Sequence, residues 1–247
     1  MIPQFRAELL KLRSTPTAPG LFSAMLGLVL FVVLLHGYGL PAGHIGRRAD
    51  QLQLVFGWAE LLGSLSAALL GALSITGEFR HGTIRPTFLA TPRRGRVVAA
   101  KVGASMLIGG AFGLIAAAFA VAVGSAALAT RGVWNRLDGG DYALLLAGCA
   151  AAAALWAAIG VGLGAAVRHQ VPTVVGICAW LLFVESLLLG DVGLLGGAGR
   201  FTPGALGKAA SGQGSQLAPG RAVSLLALYA AAAVAAGWVA TTRRDIA

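Results

Sequence analysis

Long apolar stretches dominate the sequence, and the short polar segments between them carry nearly all of its charged residues. A helix needs about 20 consecutive apolar residues to cross the roughly 30 Å hydrocarbon core of a bilayer. Six stretches approach or exceed that length without a Lys or Arg: Gly20–Leu40, Leu54–Thr76, Val102–Thr130, Tyr142–Val167, Pro172–Gly190 and Ala222–Thr242. The pattern predicts an all-α, polytopic membrane protein with six transmembrane helices, contained in residues 20–247.

Residues 1–19 have a different pattern. Phe5, Leu9 and Leu12 recur at helical spacing, and basic residues occupy much of the remaining surface. Pro16 and Pro19 are expected to break this helix from the first span. The segment is therefore predicted to be an amphipathic interfacial helix along the cytoplasmic membrane surface. The residues assigned to it are Phe5, Arg6, Glu8, Leu9, Lys11, Leu12 and Arg13.

The basic residues of the connecting segments predict the orientation. With six spans, twelve Lys and Arg residues lie on the side of the N-terminus and seven on the other side. Because cytoplasmic segments carry the excess of basic residues, both termini are expected to be cytoplasmic, in the cell membrane.

The amino-acid composition serves only to exclude classes of protein and of binding site. Hydrophobic residues make up 57% of the chain and charged residues 11%, against roughly 25% charged in a typical soluble domain. A soluble domain needs a charged surface, so an ordinary cytosolic enzyme is excluded. The net charge of +10 is explained by the excess of basic residues that cytoplasmic segments carry and by their attraction to anionic lipid, so that binding to nucleic acid is not needed to explain it. Cys149 and Cys178 lie in apolar stretches outside any Cys/His cluster, and no metal site is predicted.

Glycines recur at four-residue spacing within two spans. Gly109 with Gly113, and Gly160 with Gly164, form small-residue pairs of the kind that let membrane helices approach closely. Close helix packing is therefore predicted at both pairs.

The cytoplasmic loop 77–101, between the second and third spans, holds most of the functional information. Gly77 is expected to end the second span, and Thr83 can cap a short helix over Ile84–Leu89. A short helix outside the membrane with apolar side chains needs a groove, either in the lipid interface or in a partner protein. The apolar side chains of this predicted coupling helix are Ile84, Phe88 and Leu89, and Arg85 contributes to its basic side.

The loop sequence SITGEFRHGTIRPTFLATPRRGRVVAAK and the opening RAELLKLRST resemble type-2 ABC transporter permeases, especially short actinobacterial ones. The resemblance implies a dimer, of two copies or of one copy with a homologous partner, docked on a separate ATP-binding cassette subunit. The N-terminal helix and the helix after span two would form the docking surface. The docking residues and their support would be Glu78, Phe79, Arg80, Gly82, Thr83, Ile84, Leu89, Pro92, Arg93 and Lys101, beside Arg85 and Phe88 of the same helix.

A nucleotide-binding motif is not found in the sequence. The nearest candidate, TPGALGKA from Thr202, departs from GxxxxGK[ST] at its first and last positions. The chain is therefore expected not to be an enzyme and to bind no cofactor. ATP and Mg²⁺ would be bound by the partner subunit.

Three ionisable residues stand inside the predicted spans, at similar depths below their outer ends: His36, Glu60 and Glu185. Such a group is costly in a membrane unless it is paired or faces water. These residues either line the outer end of a translocation path or are satisfied structural groups. The Gly-rich outer segment 191–220 leaves a similar choice between an outer loop and a re-entrant segment.

The functional prediction is a permease subunit that exports a substrate with energy from a separate ATPase. Two alternatives stay open. A secondary transporter or channel would place polar residues at the membrane midplane, beside a broken helix. A non-transporting membrane scaffold for an ATPase would share the same docking features.

Overall fold

The computed structural model describes residues 2–83, 94–185, 187, 196–214 and 217–243. Within these ranges the chain is all-helical, without β-strands. The helices are α1 (Ile2–Ser14), α2 (Thr17–Gly39), α3 (Arg48–Arg80), α4 (Arg94–Thr130), α5 (Gly139–Val167), α6 (Gln170–Val184), α7 (Pro203–Ala210) and α8 (Pro219–Arg243). Wider π-helical segments form Gln51–Phe56 of α3 and Trp180–Val184 of α6.

Five helices are long and apolar enough to cross a membrane, namely α2, α3, α4, α5 and α8. The predicted transmembrane character of the chain is thereby confirmed, and each of these helices contains one predicted span almost completely. The predicted fifth span, Pro172–Gly190, corresponds to the shorter apolar helix α6. Most of its predicted C-terminal end lies outside the described residues, so the structure supports five spans and leaves the sixth as a prediction.

Helix α5 forms the centre of the bundle and packs against α3, α4 and α8. The glycine pairs predicted from the sequence lie at these contacts. A Cβ atom added at Gly160 would lie 2.0 Å from the carbonyl oxygen of Ala68, and one at Gly113 would lie 2.2 Å from that of Cys149. Only glycine allows such backbone approach, and the prediction of close helix packing is confirmed within one chain.

The ends of several helices follow from local chemistry. Pro16 precedes α2, and Pro19 lies inside the first turn of α2, where a missing N–H costs little. The predicted break therefore occurs at Thr15–Pro16, and Pro19 does not contribute to it. Helix α3 continues past Gly77 to Arg80, so that the loop between α3 and α4 starts later than expected.

A tight hairpin joins α5 to α6. Arg168 adopts a left-handed conformation with φ of 63°, and α6 begins two residues later. The guanidinium of Arg168 donates to the carbonyl oxygen of Ala240 on α8 at 2.5 Å. The predicted spans Tyr142–Val167 and Pro172–Gly190 leave only four residues between them, and the structure confirms this short connection.

We call the end of the bundle at which α1 lies the α1 end, and the other the opposite end. At the opposite end, the buried side chain of Gln51 donates to the carbonyl oxygens of Ile45 and Trp134 and accepts from the backbone N–H of Arg136. Arg48 pairs with Asp141, whose carboxylate also completes a capping box at the start of α5. These contacts join the segments that follow α2 and α4 to the start of α3.

Candidate functional site

Four charged side chains meet at the α1 end of the bundle, and we call them the lysine–glutamate network: Glu8, Lys11, Glu78 and Lys101. Glu8 and Lys11 stand one helical turn apart on α1. Glu78 belongs to the last turn of α3, and Lys101 belongs to the early part of α4. The network therefore joins three helices that are far apart in sequence.

Lys101 is the centre of this network. Its side chain is 1% exposed, and its ammonium nitrogen lies 2.6 Å from Glu8 Oε2 and 2.8 Å from Glu78 Oε1. It also donates to the carbonyl oxygen of Ser74 at 3.2 Å. The three N–H groups of the ammonium thus each have an acceptor, which is the condition under which a buried charge is tolerated.

Lys11 completes the network from the solvent side. Its ammonium lies 3.0 Å from Glu8 Oε1 and 2.9 Å from Glu78 Oε1, and its side chain is 47% exposed. Burial lowers the pKa of Lys11, but hydrogen bonds with Glu78 and Glu8 outweigh burial, so that the pKa is raised above its ordinary value. Two lysines and two glutamates make the network electrically neutral.

Helix α1 packs against the bundle as well as pairing with it. Leu12 is buried beside Leu70 of α3 and Ala104 of α4, and Phe5 and Leu9 pack against the same cluster. The apolar stripe predicted to face the membrane thus faces protein instead, because α3 and α4 present small and apolar side chains there. Leu10, 66% exposed, is a large apolar residue on the outward side of α1.

The remaining predicted residues of α1 contribute less to this contact. Arg6 is exposed on the outer side of the helix. The side chain of Arg13 lies outside the described part of the chain.

The last turn of α3 is also tied to the α5–α6 hairpin. The guanidinium of Arg168 lies 5.6 Å from the centre of the Phe79 ring, and Arg80 donates to the Gln170 side chain at 3.2 Å. Gly82, with φ of 68°, turns the chain out of α3. The base of the loop is therefore held by α1, α4 and the hairpin together.

The whole predicted coupling helix falls in the part of the loop that the structure does not describe. Thr83 is the last described residue before the gap, and the residues beyond it lie outside the described ranges, together with the proposed helix over Ile84–Leu89. The predicted docking residues concerned are Ile84, Arg85, Phe88, Leu89, Pro92 and Arg93.

At the opposite end, the two carboxylates singled out in the spans contact the same short helix, α7. Glu185 accepts hydrogen bonds from the backbone N–H of Gly204 at 2.7 Å and from the indole of Trp180 at 2.7 Å. A Cβ atom added at Gly207 would lie 2.2 Å from Glu60 Oε1. Glycines at both positions leave room for the carboxylates against the helix backbone.

Glu60 is 2% exposed and accepts a hydrogen bond from Ser64 at 2.9 Å. Among the described residues, neither Glu60 nor Glu185 takes part in an ion pair. Helix α7 itself is packed into the bundle, and the carbonyl of Ala210 closely approaches Gly148 of α5. Gly148 is nine residues into α5, about 14 Å from its start, so α7 lies beside α5 rather than beyond its end.

His36 does not join these carboxylates. Its imidazole contacts the carbonyl oxygen of Val32 at 2.9 Å, and its ring lies 5.1 Å from that of Trp58. The contacts of His36 in the described part of the chain are thus with its own helix and with Trp58, and do not include Glu60 or Glu185. Within the described ranges, no group of three His, Cys, Asp or Glu side chains is placed to hold a metal ion.

Sequence reasoning missed the partners that complete both sites. The glycine cradle of α7 had a readable signal, since Gly204 and Gly207 are spaced to lie on one helix face. The indole of Trp180 and the carbonyl group of Ser74, by contrast, carry no sequence signal that marks them as partners of Glu185 and of Lys101.

Comparison with known proteins adds no assignment. No protein-family model matches the sequence, and a search of curated proteins found no match. The geometry described above therefore has to support any functional proposal.

Proposed function

We propose that the chain is the membrane-spanning permease subunit of an ATP-driven exporter of the ABC type. It would lie in the cell membrane as six spans, with α6 as the short one, and with both termini cytoplasmic. A separate ATP-binding cassette subunit would bind ATP and Mg²⁺, and a second permease copy or a homologous chain would complete the transporter.

The observation that carries this proposal is the lysine–glutamate network. It clamps α1 onto the two helices, α3 and α4, that flank the loop of residues 81–93. The N-terminal segment and the two described ends of the loop segment are therefore held together at one end of the bundle. A force applied to α1 or to the loop would reach α3, because separating the partners of a buried ion pair leaves an uncompensated charge and is therefore opposed.

Helix α3 can carry that displacement across the membrane. Glu78 in the network and Glu60 against α7 are 18 residues apart on this helix, or about 27 Å at 1.5 Å per residue. Between them, a Cβ atom added at Gly71 would lie 2.1 Å from the carbonyl oxygen of Ala157. In the proposed mechanism, ATP-driven movement of the loop shifts α3 along α5 and thereby changes the position of α7 relative to both helices.

We further propose that residues 191–220 are re-entrant. The described part of this segment includes α7, which packs beside the first turns of α5 with four of its last five residues buried. The carboxylate of Glu185 accepts from a backbone N–H at the start of α7, and the carboxylate of Glu60 occupies the space beside Gly207. Protein groups thus cover the irregular backbone. Such covering is what allows non-helical backbone at membrane depth.

The test is reconstitution with a candidate ATP-binding cassette subunit. The chain alone is expected to hydrolyse no ATP, and the two proteins are expected to co-purify. Replacing Phe88 and Leu89 together by Ala should weaken docking or uncouple ATP hydrolysis from transport, since truncating a buried interface anchor costs about 2 kcal/mol or more.

The matched control is Trp134→Ala, which truncates an apolar side chain that is 77% exposed at the opposite end of the bundle. It should leave docking and ATP turnover unchanged. Wild-type docking and transport by the Phe88/Leu89 double variant would show that these side chains face lipid. ATP hydrolysis by the isolated chain would refute the proposal of a separate motor.

One observation supports a secondary transporter as the second candidate. Glu60 and Glu185 are buried carboxylates that contact one short helix, and such groups can relay protons. That function predicts proton-driven transport by the chain alone in proteoliposomes, abolished by Glu60→Gln or Glu185→Gln. If both carboxylates are structural, the Gln variants should instead lower the yield of folded protein, because a charge-assisted hydrogen bond is lost.

A further inference from the structure

A groove of about 610 Å³ lies at the opposite end of the bundle, between the short helical turn Gly196–Phe201 and the start of α8. Two arginines line it, Arg200 and Arg221, and both are exposed. The hydroxyl group of Tyr229 on α8 donates to the carbonyl oxygen of Phe201 at 3.2 Å. This hydrogen bond joins the two sides of the groove, so that both arginines belong to one surface.

The two arginines have hydrogen-bonding capacity to spare. The guanidinium of Arg200 lies over the ring of Phe201, 4.9 Å from its centre, and can still donate through the N–H groups of its outer edge. In the part of the chain that the structure describes, neither Arg200 nor Arg221 has an ion-pair or hydrogen-bond partner for its side chain. The described residues that line the groove include no Asp or Glu, so two positive charges face it without compensation.

The groove lies at the depth at which lipid headgroups are expected. Helix α8 is one of the five helices that are long and apolar enough to cross a membrane. Arg221 and Arg243 bracket its uncharged stretch and are 22 residues apart, or about 33 Å at 1.5 Å per residue. This separation is close to the roughly 30 Å thickness of the hydrocarbon core, so Arg221 is placed at the membrane boundary.

An apolar face of α8 continues from the groove into the membrane. Leu225 lines the groove one helical turn after Arg221, and Leu228 and Tyr229 follow on the same face. Leu228 is 66% exposed and Tyr229 is 45% exposed, so this face points away from the bundle. The surface therefore combines a basic end with an apolar strip that runs along a membrane-spanning helix.

This combination limits the chemistry of the ligand. A phosphate group has the geometry and the charge that guanidinium groups bind best. A soluble anion would use the arginines but not the apolar strip, and a zwitterionic lipid would bring a second cation beside its phosphate. A lipid with a net negative headgroup satisfies both parts of the surface.

We propose that this groove binds an anionic phospholipid without an ammonium group, such as phosphatidylglycerol. Its phosphate lies between Arg200 and Arg221, and one acyl chain lies along Leu225 and Leu228. The proposal requires that α8 spans the membrane, but it does not depend on ATP-driven export, since every group that forms the groove belongs to this chain.

One pair of double variants separates the groove from the net charge of the protein. Arg200→Gln with Arg221→Gln removes both charges of the groove. Arg47→Gln with Arg136→Gln is the matched control, because these two arginines are also exposed at the opposite end but do not line the groove. Both double variants lower the net charge by the same amount.

A second pair of variants fills space without changing charge. Gly220 lines the groove, and a Cβ atom added there would meet no atom within 4 Å. Gly220→Leu therefore places a side chain in the groove. Gly27→Leu is the control, because Gly27 is exposed on α2 and a Cβ atom added there also meets nothing within 4 Å.

The measurement is native mass spectrometry of the full chain in a neutral detergent, titrated with phosphatidylglycerol and phosphatidylcholine of the same acyl chains. The apparent Kd of the wild type should be about tenfold or more lower for phosphatidylglycerol, since each basic residue near an anionic headgroup contributes about fivefold. The Arg200/Arg221 double variant should lose this preference, and the Arg47/Arg136 double variant should retain it. Gly220→Leu should weaken binding of phosphatidylglycerol, whereas Gly27→Leu should not.

Four results would overturn the proposal. The first is equal affinity of the wild type for the two lipids. The second is a preference that survives in the Arg200/Arg221 double variant or, if that variant does not fold, an unchanged Kd in Gly220→Leu. The third is an equal loss in both double variants, which would assign the preference to net charge alone. The fourth is displacement of the lipid by soluble glycerol phosphate at equal concentration, which would assign the groove to a small phosphate. None of these results bears on ATPase docking, which the Phe88 and Leu89 variant tests separately.

Discussion

Replacing Lys101 by Met is the most direct test of the lysine–glutamate network. The substitution keeps the length and much of the apolar volume of the side chain but removes the ammonium. Glu8 Oε2 then loses the partner at 2.6 Å, and Glu78 Oε1 loses the one at 2.8 Å. The variant therefore leaves two negative charges in a partly closed site with only Lys11 to balance them.

The magnitude follows from burial. Lys101 is 1% exposed, and removing one partner of a buried ion pair costs about 3–5 kcal/mol, because the remaining charge is left uncompensated. Lys11 contacts the same two carboxylates but is 47% exposed, and pairs of that kind contribute about 0–1 kcal/mol. Lys101→Met should thus destabilise the chain by at least about 2 kcal/mol more than Lys11→Met does.

Two assays measure the effect. Denaturant unfolding in detergent gives the loss of stability, and limited trypsin digestion at Arg6 and Lys11 reports whether α1 has left the bundle. Adding Glu8→Gln to Lys101→Met should recover part of the loss, because it removes one of the unpaired charges. Equal losses for Lys101→Met and Lys11→Met, with unchanged digestion of α1, would refute the buried network.

Three further predictions concern other parts of the molecule. Gln51→Leu should destabilise the opposite end by about 1–3 kcal/mol, since buried backbone groups lose their partners, whereas Gln53→Leu at an exposed position should have little effect on the unfolding midpoint. Gly160→Ala should cost about 1–3 kcal/mol through a clash with a backbone carbonyl of α3, whereas Gly176→Ala, with open space around its Cβ, should leave the unfolding midpoint unchanged or raise it. Burial lowers the pKa of Lys11, but its two glutamate partners hold that pKa above 10.5. The stability that Lys11 gives to the folded chain should therefore be present at neutral pH and be lost only as the pH rises through the raised pKa. Unfolding curves of wild type and Lys11→Met should converge at high pH, and should not converge at low pH within the range where the glutamates stay ionised.

The spans could be predicted because a membrane helix is recognised from the hydropathy of one continuous stretch of sequence. A run of apolar residues without charges satisfies its own backbone hydrogen bonds and needs no partner to be recognised. Gly109, Gly113, Gly160 and Gly164 were likewise readable, because small residues four positions apart share a helix face whatever that face contacts.

The identity of the contacting surface could not be predicted in the same way. The stripe of Phe5, Leu9 and Leu12 shows that one face of α1 is apolar, and both a membrane and a protein satisfy such a face. Burial of Lys101 depends on Glu8, 93 residues away in sequence, so that no local pattern distinguishes it from an exposed basic residue at a helix end. Only the folded chain shows that both observations describe one contact between α1 and the α3–α4 pair.

The distribution of polar groups along α3 explains why this helix is central to the proposed mechanism. Ion pairs hold its last turn at Glu78, Glu60 lies 18 residues earlier and contacts α7, and the stretch between these two glutamates packs against α5 through glycine and alanine backbones. Contacts between small residues have few interlocking side chains to resist sliding, whereas the polar contacts at both ends have definite partners and distances. A shift of α3 along α5 would therefore be opposed mainly at its ends, where one set of partners faces the docking loop and the other faces the segment proposed to be re-entrant. Under the proposed function, that arrangement couples the two polar contacts through one rigid helix. Glu60→Gln is therefore informative. A change in transport with normal assembly would show that transport depends on a residue about 27 Å along α3 from Glu78, at the end where the ATPase is proposed to act.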